Sequence, residues 1–202
     1  MNEELFEQVL SQYRLKDENR AGWVLRAVHE PESVADHSWG TALLCFYFAQ
    51  SCGVDRNRAI TMALVHDLAE AETGDIPRRV SADAQPVSPE RKSRREAEVM
   101  TRYARITPEV ARLWQEYESA VTLEAQFVRD MNLIDMCIQA LIYERDRRYV
   151  ESEGRENFPD FAGLDEFFAT SEPRLLTECG VSLYTTIARE YRDLRASRGS
   201  GH

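Results

Sequence analysis

The chain has 202 residues, 43% of them hydrophobic and 30% charged, with a formal net charge of −10. That length fits a single domain with a sizeable core, and that charge excludes broad binding to DNA, RNA or anionic membrane. The richest apolar run, Ala42 to Ala49, falls short of the roughly 18 residues a membrane span needs.

Leu5, Phe6, Val9, Leu10 and Tyr13 recur at helical spacing and predict a first amphipathic helix. Lys16 to Ser33, with Gly22 and Pro31, reads as irregular. A long helix is expected from Ser33 to Cys52, stopped by Gly53. Asp55 can cap the next helix, which carries His66 and Asp67 and breaks at Thr73-Gly74-Asp75-Ile76-Pro77. Ser81 to Pro89 reads as a polar linker, followed by a charged helix from about Glu90 to Tyr103. Thr107-Pro108 starts another helix, to about Ser119. Thr122 caps the next, from Leu123 to Arg148, and Val150 to Pro159 is a polar loop. Two shorter helices are expected at Leu164 to Ala169 and Val181 to Leu194. The fold class is all-α, one helical domain over 1–197 with 198–202 as a flexible tail, and His202 is given no role.

Cys45, Cys52, Cys137 and Cys179 form no CxxC pair, and no disulfide is expected. Cys45, Cys137 and Cys179 read as packed free thiols. Met1-Asn2-Glu3-Glu4 is acidic, unlike the start of a signal peptide, and a cytoplasmic protein is expected.

The chemistry concentrates in Ala63-Leu64-Val65-His66-Asp67-Leu68-Ala69-Glu70. Imidazole and carboxylate are costly to bury without partners, so a mostly apolar helix is a poor place for them unless something binds there. Adjacent helical residues diverge by about 100°, and residues three or four apart share a face. His66 and Asp67 therefore splay around one point, and Glu70 can overhang it. His37 arrives from the preceding helix. Two imidazoles with carboxylates suit a first-row transition ion better than Ca²⁺.

His37, then His66-Asp67, then an acidic position on a later helix resembles the HD-domain metal phosphohydrolases. Glu70-Ala71-Glu72-Thr73-Gly74-Asp75-Ile76-Pro77 narrows the resemblance to the 5′-deoxynucleotidase branch, which removes phosphate from deoxynucleoside monophosphates. The upstream runs Arg20 to Arg26 and Pro31 to His37 are similar to that branch. So are Leu113 to Glu118 and Ala125 to Val128 downstream.

The resemblance implies a single HD-domain bundle binding a divalent ion, Co²⁺, Mn²⁺ or another transition ion, with Mg²⁺ as an option. It implies His37, His66 and Asp67 as metal ligands and Glu70 as general acid/base. Asp75 would orient substrate or water and, with Glu70 and Ile76, hold a second cation. Arg20 would meet the phosphate, and Trp23 the sugar or base. A nucleotide substrate and a homodimer are also implied. The family's last ligand, an Asp shortly after the Phe-Val pair, aligns with Asn132, flanked by Asp130 and Asp135. Asp130 is about 200° round the helix from Asn132 and faces elsewhere. Asp135 shares the face of Asn132, about 4.5 Å further along the axis. Three consequences of Asn132 stay open: weaker metal binding, substitution by Asp135, or a catalytically impaired nucleotide-binding protein. An HD-type triphosphohydrolase acting on deoxynucleoside triphosphates is the enzymatic alternative.

Other residues have plainer readings. Arg26, Arg78 and Arg79 read as surface charges, and Arg91-Lys92-Ser93-Arg94-Arg95 as a solvated helix face. Phe46, Tyr47 and Phe48 read as core or dimer packing.

Overall fold

Side chains that satisfy free backbone N–H groups set where the helices begin. In the computed structural model, residues 2–199 are described. Asn2 caps α1 (Glu3–Gln12), accepting from the Glu4 N–H at 3.0 Å. A 3₁₀ turn at Tyr13–Lys16 leads to a short α2 (Ala21–Leu25) inside the stretch expected to be irregular. Its first N–H, on Ala21, is taken by Asp75 Oδ2 at 2.6 Å, a distant partner that no local pattern reveals.

A capping box opens α3 (Val34–Phe48). Ser33 Oγ accepts from the Asp36 N–H, and Asp36 Oδ2 accepts from the Ser33 N–H. Such a cap stabilises a helix by about 1 kcal/mol. The helix ends before the expected Cys52, and the turn after it uses Gly53 at φ 71°. Asp55 caps α4 (Arg56–Val65), which precedes the short α5 (Glu70–Thr73). Ser88 caps α6 (Pro89–Tyr103), and Thr107-Pro108 opens α7 (Pro108–Ser119). Thr122 caps the long α8 (Leu123–Asp146), accepting from the Ala125 N–H.

The last helices are α9 (Asp165–Ser171) and α10 (Glu178–Gly199). Asp130 on α8 anchors the approach to α10, accepting from the Leu176 and Thr177 N–H groups, each at 2.8 Å. Thr177 Oγ1 in turn accepts from the Gly180 N–H at 3.0 Å, so α10 starts at Glu178 rather than Val181. It continues through Gly199, so the expected tail is helical that far; Ser200 to His202 lie outside the described residues.

Among the described residues the fold is all-α, with no strand and one isolated bridge between Asn19 and Ser33. α3, α4 and α8 pack on one another, and α10 lies along α8. Trp23, Phe127, Met131, Ile134, Tyr143 and Leu164 are fully buried at the centre, each contributing roughly 1.5–3 kcal/mol. A smaller cluster of Ala69, Val99, Met100, Tyr103 and Trp114 seats α6 and α7 beside α5. No helix among the described residues is long and apolar enough to cross a membrane.

Two expectations are corrected here. Arg26 is fully buried, not a surface charge. Its Nε–H donates to Gly163 O at 2.8 Å and its other nitrogens donate to the carbonyls of Glu151 and Glu153, while its guanidinium lies 4.6 Å from the Tyr149 ring centre. Cys179 is not a free thiol: it is bonded to Cys52, with Cα atoms 6.1 Å apart, because α10 begins against the end of α3. Cys45 and Cys137 are free and buried.

Candidate active site

The expected continuous helix through His66, Asp67 and Glu70 is broken at His66. In an unbroken helix the Ala63 carbonyl would accept from the Asp67 N–H. Here His66 Nδ1–H donates to that carbonyl at 2.6 Å. The chain then tightens into a turn, with the Glu70 N–H on Asp67 O at 2.9 Å. His66 and Asp67 leave this turn side by side, His66 Nε2 lying 3.2 Å from Asp67 Oδ2.

His37 on α3 faces them, its Nε2 lying 3.8 Å from Asp67 Oδ2. Its Nδ1–H donates to Asp135 Oδ2 on α8 at 2.7 Å. Gly40, one turn along α3, leaves room for that carboxylate: a Cβ there would lie 2.0 Å from Asp135 Oδ1. Because both histidines commit Nδ1, both keep a bare Nε2 lone pair.

His37 Nε2, His66 Nε2 and Asp67 Oδ2 are buried without a hydrogen-bond partner. One ligand atom from each of these residues can be chosen with all three within 4.8 Å of one another. A buried polar atom without a partner costs about 1–3 kcal/mol, so three pointing together mark a place built for something else. Two imidazole nitrogens and a carboxylate oxygen fit a divalent transition ion. Glu70 Oε2, also buried and without a partner, lies close by.

Charges adjust to this crowding. Burial and then the Arg20 charge push His37 down to about 3. Burial opposes the charge on His66, but Asp67 outweighs it and holds the imidazole above its ordinary value. Burial also opposes ionisation of Asp67, yet His66, His37 and Arg20 keep it far below the carboxylate range. Burial, followed by the Asp67 charge, raises Glu70 well above its ordinary value. Burial raises Asp135 to about 7.

His66, Asp67 and Glu70 line a cavity of about 220 Å³, walled by α2, the Asp75–Arg79 segment, α6, α8 and α9. A family model described as the HD domain matches residues 13–159. The chain belongs to the HD-domain family. It is 38% identical over 136 residues to the 5′-deoxynucleotidase HDDC2 of Xenopus laevis, covering 65% of this chain and 65% of that one. It is 38% identical over 164 residues to the 5′-deoxynucleotidase HDDC2 of Homo sapiens, covering 75% of this chain and 78% of the relative. A crystal structure of the PH0347 protein from Pyrococcus horikoshii matches with a TM-score of 0.70 and 31% identity, covering 92% of this chain and 99% of that one.

The remaining expected residues of this HD-domain protein fall as follows. Arg20 donates to Asp75 Oδ1 at 2.9 Å and stands 3.8 Å from Asp67. Asp75 spends both oxygens on α2, one on Arg20 and one on the Ala21 N–H, so it acts as a strut that aims Arg20. Ile76 lines the cavity. Trp23 also lines it but is only 1% exposed. One face of its ring stacks on Phe167 with centroids 3.9 Å apart, and its N–H donates to Glu32 Oε1 at 2.9 Å.

Asn132 lines the cavity, with Nδ2 donating to the Tyr117 hydroxyl at 2.7 Å. The Tyr117 ring sits 5.2 Å from that of His66. Asp135 does not take the place of Asn132: it meets the Nδ1 side of His37, away from the Nε2 that faces Asp67.

Two cations depart from their plain readings, and a third carries no local signal. Lys92, expected on a solvated face, enters the cavity wall and donates to Glu70 Oε1 at 2.9 Å and Glu96 Oε1 at 2.7 Å. The signal was available as Glu96 four residues on, an acid on the same face as Lys92. Arg79 is paired with the buried Glu166 at 2.9 Å. Arg174, from the segment between α9 and α10, lines the same cavity, and nothing in its local sequence announces it.

Proposed function

We propose that this HD-domain protein is a metal-dependent 5′-deoxynucleotidase, removing the 5′-phosphate from deoxynucleoside monophosphates. The observation that carries the reading is the trio of buried, unpartnered ligand atoms on His37, His66 and Asp67, of which His66 and Asp67 line a cleft of about 220 Å³. The name carried by the HDDC2 relatives points the same way.

His37, His66 and Asp67 would hold a Co²⁺, Mn²⁺ or other divalent ion, Mg²⁺ being an option. Asn132 would be the fourth ligand: with Nδ2 committed to Tyr117, it has Oδ1 left to offer. A neutral oxygen is a weaker donor than the carboxylate of the family pattern, so the ion is held less tightly. When bound, the ion neutralises phosphoryl oxygens and acidifies a water.

The chain's own groups do the rest. Arg20, aimed by Asp75, faces the phosphate with its remaining N–H groups. Glu70, its pKa raised by burial and the Asp67 charge, would serve as general acid/base for the departing 5′-oxygen or the attacking water. Lys92 fixes Glu70 by its other oxygen. Trp23 and Phe167 wall the cleft against water.

Phosphate release from dAMP with each ion, with dATP and AMP as controls, tests the reading. Inorganic phosphate from dAMP is expected, and no release with any ion sinks it. Triphosphate released from dATP would favour the triphosphohydrolase.

A homodimer fits the exposed stripe of Trp39, Leu43, Phe46 and Tyr47 on α3, and sedimentation would reveal a monomer if it is wrong. A cytoplasmic setting fits a nucleotide substrate. The Cys52–Cys179 bond argues against that setting, and cell fractionation decides.

A further inference from the structure

Six cationic side chains line the cleft, and four of them have assigned carboxylate partners. Arg20 pairs with Asp75, Arg79 with Glu166, and Lys92 with both Glu70 and Glu96. Arg129 lies 3.9 Å from Glu118 and donates to the carbonyls of Tyr117 and Glu118. Arg78 and Arg174 have no hydrogen-bond or ion-pair partner among the described residues, although both line the cleft. The carboxylates of the wall are already used: Glu70, Asp75, Glu96, Glu118 and Glu166 serve the four cations just named, and Asp67 belongs to the metal trio.

The two arginines come from separate parts of the chain. Arg78 follows the Asp75–Pro77 turn, and Arg174 ends the 3₁₀ segment before α10, beyond the residues matched by the family model. Their charges nevertheless act on each other. Arg174 keeps solvent contact, yet partial desolvation, together with Arg78, Arg129 and Arg20, lowers its pKa against the opposing influence of Tyr117. Like charges converging in a chain of net charge −10 are a cost that an anion would remove. Asn132, neutral where the family pattern has a carboxylate, leaves this sector short of negative charge.

We infer that Arg78 and Arg174 form a clamp for a phosphate group of the nucleotide at the mouth of the cleft. Guanidinium groups suit this task because their planar N–H forks match phosphoryl oxygens. The inference rests on the nucleotide reading above and adds its phosphate-holding residues. The phosphate is either the scissile 5′-group or a second one on a nucleoside diphosphate.

Calorimetry on the full chain as purified separates these, using inorganic phosphate, deoxyadenosine and dADP as probes. In Arg174→Ala and Arg78→Ala, phosphate binding is expected to weaken at least tenfold, with deoxyadenosine unchanged and Arg174→Lys partly restoring it. Weakening of dADP alone assigns the clamp to the second phosphate. Unchanged phosphate and dADP affinities overturn the clamp. Deoxyadenosine weakened as much as the phosphate-bearing probes also overturns it, since the arginines would then hold the nucleoside. Both side chains are exposed, so the variants should keep the wild-type melting temperature, which is checked alongside. None of the probes needs turnover: a chain inert toward dAMP would fail as a nucleotidase without touching this result.

Discussion

Arg26 and the His37–His66–Asp67 trio are both buried polar centres, yet they are finished differently. The Arg26 guanidinium meets backbone carbonyls of the 150–163 loop and an aromatic ring. Its charge is desolvated but answered, so it ties the loop to α2. In the trio each histidine satisfies one nitrogen and leaves the other bare, and Asp67 Oδ2 is left bare beside them. A buried group with every partner present reads as structure; a buried group with one atom idle reads as a site.

The largest expected effect separates the two centres through activity. His66→Ala should lower phosphate release from dAMP by at least ~10³-fold. The melting temperature of the metal-free protein should fall less than that of an Arg26 variant, because the change removes one hydrogen bond, to Ala63 O, together with the unpaired Nε2. A loss of metal-free stability equal to that of an Arg26 variant would erase the distinction. Arg26→Ala should cost about 3 kcal/mol or more in denaturant unfolding, since several carbonyls lose their donor. Metal bound per folded molecule should stay the same.

Asp135→Asn weakens the hold on His37 Nδ1–H and should lower metal affinity by about 10–100-fold, read by chelator competition. The pH dependence has a definite sign. A proton on His66 must leave before an ion binds, and Asp67 raises that pKa. Metal affinity should therefore rise with pH, by about tenfold per unit below the His66 pKa, and level off above it. His37, pushed down to about 3, adds no second proton near neutrality; a slope of two protons per ion would contradict this. The smallest effect is Asn132→Asp, expected to tighten metal binding by on the order of tenfold through the added ligand charge. Unchanged metal content and activity would remove Asn132 from the ligand set.

Local signals in the sequence reach the helix starts well. Ser33, Asp55, Thr107-Pro108 and Thr122 each stand at the opening of a helix. Ser33, Asp55 and Thr122 work because a cap acts over three residues, whereas Thr107 makes no capping bond and Pro108 opens α7 with its fixed φ. The candidate trio was legible for a related reason: His37, His66 and Asp67 are the wrong polarity for the helices around them. What stayed hidden depends on distant partners. α2 needs Asp75, and the break at His66 needs an imidazole donating to Ala63 O. Lys92 looks like any member of a charged run until Glu70 is beside it. The Cys52–Cys179 bond joins positions 127 residues apart. Arg174 and Arg78 become neighbours only when the last helices fold back.

Within six residues of α8, three side chains serve three parts of the molecule. Asp130 anchors the approach to α10, Asn132 meets Tyr117 in the cleft, and Asp135 orients His37. One inserted residue upstream in that helix would turn all three by about 100° and slide them about 1.5 Å. The segment is thus written in register as much as in composition: it can exchange letters on its outward face, but cannot change length. Insertion scanning along α8 should find Phe127 to Asp135 far less tolerant than the exposed turn at 81–84.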